Sequence, residues 1–120
     1  MQMFGQTIQG LGRALDLYQA RHRVIAENIA NADTPGYRAR DLPFSSALEE
    51  AMAGETEGGE TPEIAPTVDQ QAVVKVDGNS VDLDTEMARM SVNAEKMVAL
   101  AQIIGRKFAT LRSVITDGRS

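Results

Sequence analysis

Two series of apolar residues, one at each end of the chain, are spaced alternately four and three apart. At the start they are Phe4, Ile8, Leu11, Leu15, Tyr18, His22, Ile25 and Ile29. At the end they are Leu83, Met87, Met90, Ala94, Met97, Ala101, Ile104, Phe108, Leu111 and Ile115. A 3.5-residue repeat is the seam of a helix packed along another helix. The spacing predicts helices over about 7–32 and 84–116, roughly 39 and 50 Å long at ~1.5 Å per residue. The expected fold is therefore dominated by α-helix, with both ends pairing as a coiled coil around a largely irregular middle. Val98, Leu100, Ile103 and Val114 fall outside the C-terminal seam, as Leu17 and Val24 fall outside the first. They widen each stripe beyond what one partner helix covers.

Between the helices the periodicity breaks. Phe44 to Met52 fits a short amphipathic helix opened by Ser45 or Ser46. Residues 54–66 are rich in Gly, Pro and acid, a composition too polar to offset ordering entropy, and read as a loop. Val73 to Val76 is the strand candidate, ahead of an Asp77-Gly78 turn. The division that follows is 1–33 for the first helix, 34–83 for a turn and acidic middle, and 84–120 for the second. Both ends would form one helical core.

The first helix ends in Ala26-Glu27-Asn28-Ile29-Ala30-Asn31-Ala32-Asp33-Thr34-Pro35-Gly36-Tyr37. Thr34 precedes proline and is pushed toward extended geometry. Pro35 then Gly36 suits the two central positions of a type II turn, the glycine supplying positive φ. Asn28 and Asn31 share a helix face, where their amides can reach backbone groups that a helix end leaves free. Downstream, Asp82 or Asp84 can cap the second helix, and Gly118 can stop it.

Charge is distributed unevenly. Residues 1–40 carry five Arg against three acids, a net +2. Residues 41–86 carry twelve acids against Lys75, a net −11, and residues 87–120 carry six bases against two acids, a net +4. The acidic middle repels phosphate and argues against nucleic acid as a partner. With no Cys, disulfides and thiolate metal sites are excluded. The single histidine, His22, sits on the first seam, and a packed, hydrogen-bonded role is expected for it. The acids Asp77, Asp82, Asp84 and Glu86 do not follow the order of a calcium-binding loop. No nucleophile motif or phosphate loop is present, so neither catalysis, a cofactor, a metal nor a small-molecule substrate is expected. No apolar run approaches the ~20 residues of a membrane span. The start lacks the basic region of a cleavable signal peptide.

The string at 26–37 resembles the N-terminal signature of the bacterial flagellar rod and hook axial proteins. Ala26, Asn28, Ala30, Asn31, Thr34, Gly36 and Tyr37 take the places of that pattern, and the Asp33-Thr34-Pro35-Gly36-Tyr37 form is most similar to the short rod proteins. Asp77-Gly78-Asn79-Ser80-Val81-Asp82-Leu83-Asp84 and the tail from Lys107 to Arg112 and Asp117 to Arg119 add to the likeness, which covers about two-thirds of the chain. The tail favours the B type of proximal rod protein over its C-type sibling. The resemblance implies an antiparallel pairing of the terminal helices. It also implies polymerisation into a hollow drive shaft that transmits torque and passes exported subunits. Implied partners are further copies, other proximal rod proteins, the rod-to-ring adaptor, the membrane-ring base and the export gate. The implied location is the basal-body rod on the periplasmic side, reached by type III export. The implied site residues are the turn motif, Asn28, Ala30, Asn31 and Thr34 to Tyr37, together with the two seams. A rival of another class is a helical-hairpin adaptor, which has no need of the turn string.

Overall fold

The computed structural model describes residues 2–53 and 63–118, with the side chains of residues 2–4 left aside. The element order is α1 (Gln2–Ala30), β1 (Arg40–Asp41), α2 (Phe44–Ala53), β2 (Thr67–Val68) and α3 (Leu83–Asp117). The molecule is elongated, 70 × 25 × 17 Å. α1 and α3 run antiparallel. Asn28, near the end of α1, bonds Glu86 at the start of α3, and Tyr18, earlier in α1, meets Asn93 further along α3. α1 begins before its glycines at 5, 10 and 12, so packing outweighs their helix cost of roughly 1 kcal/mol each. Gly10 is buried against the carbonyls of Ala51 and Met52, where only a small residue fits comfortably.

α1 is covered on two sides. Toward α3 it presents Leu11 and Ile25, which are buried, and Ile8, Leu15, Tyr18, His22 and Ile29, which are half-buried. Phe4 of the same series lies outside the described side chains. A second stripe, Ala14, Leu17 and Val24, is also buried. Leu17 packs with Ala47 and Ala51 of α2, joined by Phe44 and Ile64. α2 and Ile64 thus fold back over Leu17, a residue expected to stay uncovered in an isolated hairpin. Tyr18 meets Phe44 edge-on, with centroids 4.7 Å apart, and Arg21 lies over the Phe44 ring while forking onto Asp41. The buried Arg13 donates from Nε to the Ala51 carbonyl, which ties down the carboxyl end of α2.

Several expectations need correction. On α3 the inward residues are Glu86, Met90, Asn93, Met97, Leu100, Ile104, Lys107 and Leu111, all buried or half-buried. Met90, Met97, Ile104 and Leu111 belong to the expected seam. Leu83, Met87, Phe108 and Ile115, which the expected seam also contained, do not face inward: they are exposed by 46, 55, 53 and 43%. The seam is rotated because polar Glu86 and Asn93 face α1, where both are hydrogen-bonded. Val73 to Val76 forms no strand. Its three valines are exposed, and the short two-stranded pairing is instead Arg40 with Val68 and Asp41 with Thr67. α2 opens on Pro43, whose carbonyl accepts from Ala47 N–H, so Ser45 and Ser46 lie inside the first turn. Asp82 caps α3, accepting from the amides of Asp84 and Thr85. Gly118 ends it with φ −68°, not in the left-handed region. Nδ1 of His22 is buried with no hydrogen-bond partner among the described residues. Of the loop at 54–66, residues 54–62 lie outside the described residues, and 63–66 is irregular.

Candidate functional site: the junction of the long helices

The chain leaves α1 through a tight turn. Tyr37 N–H donates to the Thr34 carbonyl at 3.2 Å, and Gly36 has φ +78°. This is the geometry expected of the Pro35-Gly36 pair. Asn31 closes the helix end, its Nδ2 donating to the Glu27 carbonyl and its Oδ1 accepting from the Thr34 hydroxyl. Pro35 and Ala30 are exposed and contribute backbone shape only.

Asn28 is fully buried and uses its whole amide. Nδ2 donates to the Arg40 carbonyl at 2.8 Å and to Glu86 Oε2 at 3.2 Å. Oδ1 accepts from Arg40 N–H at 3.1 Å and from the Tyr37 hydroxyl at 3.2 Å. Two donors and two lone pairs are the full capacity of the group. The side chain acts as a strand edge for Arg40, pairing both its backbone groups. It also fastens the start of α3 to the end of α1.

The downstream string closes the same junction from the other side. Asn79, also fully buried, donates from Nδ2 to the carbonyls of Asn31 and Thr34, both at 2.8 Å. Its Oδ1 accepts from Val81 N–H, which turns the chain toward α3. Gly36 N–H donates to the Asp77 carbonyl, and Ser80 N–H to that of Tyr37. The Ser80 hydroxyl oxygen accepts from Ala39 N–H at 2.8 Å. Gly78 has φ +83°, and a Cβ there would lie 3.3 Å from Gly36 Cα. Two glycine turns therefore stack backbone to backbone.

Charge is handled inside the junction. The Glu86 carboxylate is 97% shielded and accepts from Asn28 and from Arg89 Nη1. Arg89 in turn reaches Asp69 at 3.7 Å. A buried carboxylate with two donors is tolerable where a lone one is not.

The structure thus joins Asn28, Asn31, Thr34, Gly36 and Tyr37 into one polar lock. It adds residues that the site reading omitted: Arg40, Gly78, Asn79, Ser80 and Glu86. The Asp77-Gly78 turn was the available signal, and it pointed to Gly78 alone. Most seam residues lie along the helices beyond this lock, with Ile29 and Leu83 at its edge. Among the described residues no cluster of His, Asp and Glu is suited to hold a metal, and no helix is long and apolar enough to cross a membrane. The arrangement holds two helices at a fixed angle; it presents no paired nucleophile and base.

Residues 8–38, which include most of α1 and the turn, match the family described as "Flagella basal body rod protein". Over 99% of its length the chain is 32% identical to the flagellar basal body rod protein FlgB of Bacillus subtilis, covering 100% of that relative. It is 34% identical to the FlgB of Salmonella typhimurium over 88% of this chain and 89% of the relative. The FlgB of Escherichia coli K12 is 32% identical over the same shares.

Proposed function

From the fact that this chain belongs to the FlgB family of flagellar basal body rod proteins, we propose how its structure serves in the rod. A structural subunit of the basal-body rod needs stiffness and repeated contacts rather than chemistry, and the chain is built on those terms. The observation that carries the reading is the lock: two strings 45 or more residues apart in sequence close on each other through Asn28 and Asn79. It fixes the angle between α1 and α3, so that every copy offers its neighbours the same shape.

On this reading the subunit sits in the proximal rod, within the envelope on the periplasmic side. It reaches that place by the flagellar export route. It assembles with further copies and other rod proteins. The finer partners are the rod-to-ring adaptor, the membrane-ring base and the export gate. The hollow wall transmits torque passively and lets later subunits through. The terminal helices form the working unit, residues 1–33 with 84–120. The turn motif and the seams are its site residues.

The test is complementation. Cells lacking the protein should make no rod and not swim. Supplying Asn79→Ala should restore protein but leave basal bodies depleted of it. Full motility with normal incorporation would contradict a role for the lock in assembly.

A further inference from the structure

α3 carries two candidate inward stripes that share Met90, Met97, Ile104 and Leu111. One adds Met87, Ala94, Ala101 and Phe108; the other adds Glu86, Asn93, Leu100 and Lys107. Adjacent helix residues are about 100° apart, so a turn of about 50° around the helix axis exchanges the stripes. Burial of apolar surface alone favours the first. The fold holds the second, with Met87 and Phe108 exposed by 55 and 53% and Asn93 by 4%. The contact at Glu86 fixes only the start of the helix. A straight helix drifts about 20° per heptad against a 3.5-residue seam, so the rotation further along needs its own determinant.

His22 and Asn93 stand where such a determinant would act. Asn93 Nδ2 donates to the Tyr18 carbonyl at 2.8 Å. Tyr18 lies one helical turn before His22 on the same face of α1, which puts the amide and the imidazole at one level of the helix pair. Each residue has a buried polar atom without a hydrogen-bond partner among the described residues, Nδ1 of His22 and Oδ1 of Asn93. The two needs are complementary. A neutral imidazole can carry its proton on Nδ1, and an amide oxygen can only accept.

We propose that His22 Nδ1–H donates to Asn93 Oδ1, and that this cross-helix pair selects the rotation of α3. In the rotation seen, the imidazole has the amide as its partner. After a turn of about 50°, Asn93 leaves the interface and Ala94 enters it. His22 then faces Met90, Ala94 and Met97, which offer its ring nitrogen no strong partner. The pair therefore favours one packing and penalises the other, as a single buried polar residue does in fixing the register of a coiled coil. On the rod-subunit reading, a fixed rotation decides which α3 side chains a neighbour meets. The pair itself is tested on the isolated chain, independently of that reading.

The chain has no Trp, so Phe108→Trp places a single reporter on the stripe that the fold leaves outside. In that background the full chain is prepared with His22→Leu, with Asn93→Leu and with both. Each is unfolded in urea, and iodide quenching of the Trp is read in the folded state. Each single change strands one polar atom and should lower the folding constant about tenfold. The double change strands neither and leaves the apolar stripe free to turn inward. Its folding constant should return to within about threefold of the parent or exceed it, because partners in contact are coupled. Quenching should fall at least about twofold as the ring leaves water. Equal quenching in the parent and the double variant would overturn the proposal, since the pair would not set the rotation. Single losses that simply add in the double variant would also overturn it. A double variant with no cooperative unfolding transition counts the same way, because the pair would then serve folding itself and not the choice between packings.

Discussion

Asn28 and Asn79 work because each fills a buried site with a group that both gives and accepts. Replacing Asn28 by Ala would strip a donor from Glu86 and both partners from the Arg40 backbone. An unmet buried polar group costs roughly 1–3 kcal/mol, so Asn28→Ala should lower unfolding stability by about 3 kcal/mol, read by urea denaturation. A loss below about 1 kcal/mol would mean that water replaces the amide without penalty. The glycines allow a finer contrast. Gly36 and Gly78 both have positive φ, but only Gly78 faces a close backbone neighbour. Gly36→Ala should cost about 1–2 kcal/mol for its backbone alone. Gly78→Ala should cost more, because Gly36 Cα must move; a smaller loss at Gly78 would contradict the stacked turns. The Pro35-Gly36 turn and the shared face of Asn28 and Asn31 were legible in the sequence, since both follow from local geometry. The engagement of Asn79 was not. A pairing across 45 positions leaves no period to read.

At the scale of the elements, the seam of α3 is the instructive case. Its sequence offers two stripes that share Met90, Met97, Ile104 and Leu111. One continues through Met87, Ala94, Ala101 and Phe108, and the other through Glu86, Asn93, Leu100 and Lys107. Counting apolar residues selects the first. The fold takes the second, because Glu86 meets Asn28 and Asn93 Nδ2 donates to the Tyr18 carbonyl at 2.8 Å. Helix positions and lengths were readable from period; the rotation of α3 was set by polar contacts that hydropathy does not weigh. The two stripes predict different mutants. Ile104→Asp puts a charge on the packed face and should destabilise the isolated chain by 2 kcal/mol or more, roughly the loss of a buried aliphatic plus a desolvated carboxylate. Phe108→Asp should change isolated stability by less than about 0.5 kcal/mol, as for exposed sites generally, while still lowering entry into the rod. Equal destabilisation by the two would restore the first stripe.

Among the described residues the molecule is a long helical pair with α2 and Ile64 packed along one side. The expected hairpin with a loose insert missed that packing. Ile64 stands alone in an acidic, Pro-flanked stretch and shows no periodicity, yet it packs beside the Leu17, Ala47 and Ala51 cluster. Replacing residues 54–62 by Gly/Ser of equal length should leave swimming nearly unchanged, because Ile64 is kept. Adding Ile64→Asp should cost about 2 kcal/mol in unfolding and reduce motility. Loss of motility from the first change alone, at normal protein levels, would reveal a required contact in 54–62. The central claim is that this chain is a rod subunit whose two distant strings lock α1 to α3 in the assembled state. The most direct measurement is a cryo-EM map of isolated basal bodies with side chains traced in the innermost rod layers. The account predicts copies of this chain there, with the Asn79 amide on the carbonyls of Asn31 and Thr34 and Asn28 between Arg40 and Glu86. A rod without this chain, or copies in which residues 28–37 and 77–86 have separated, would contradict it.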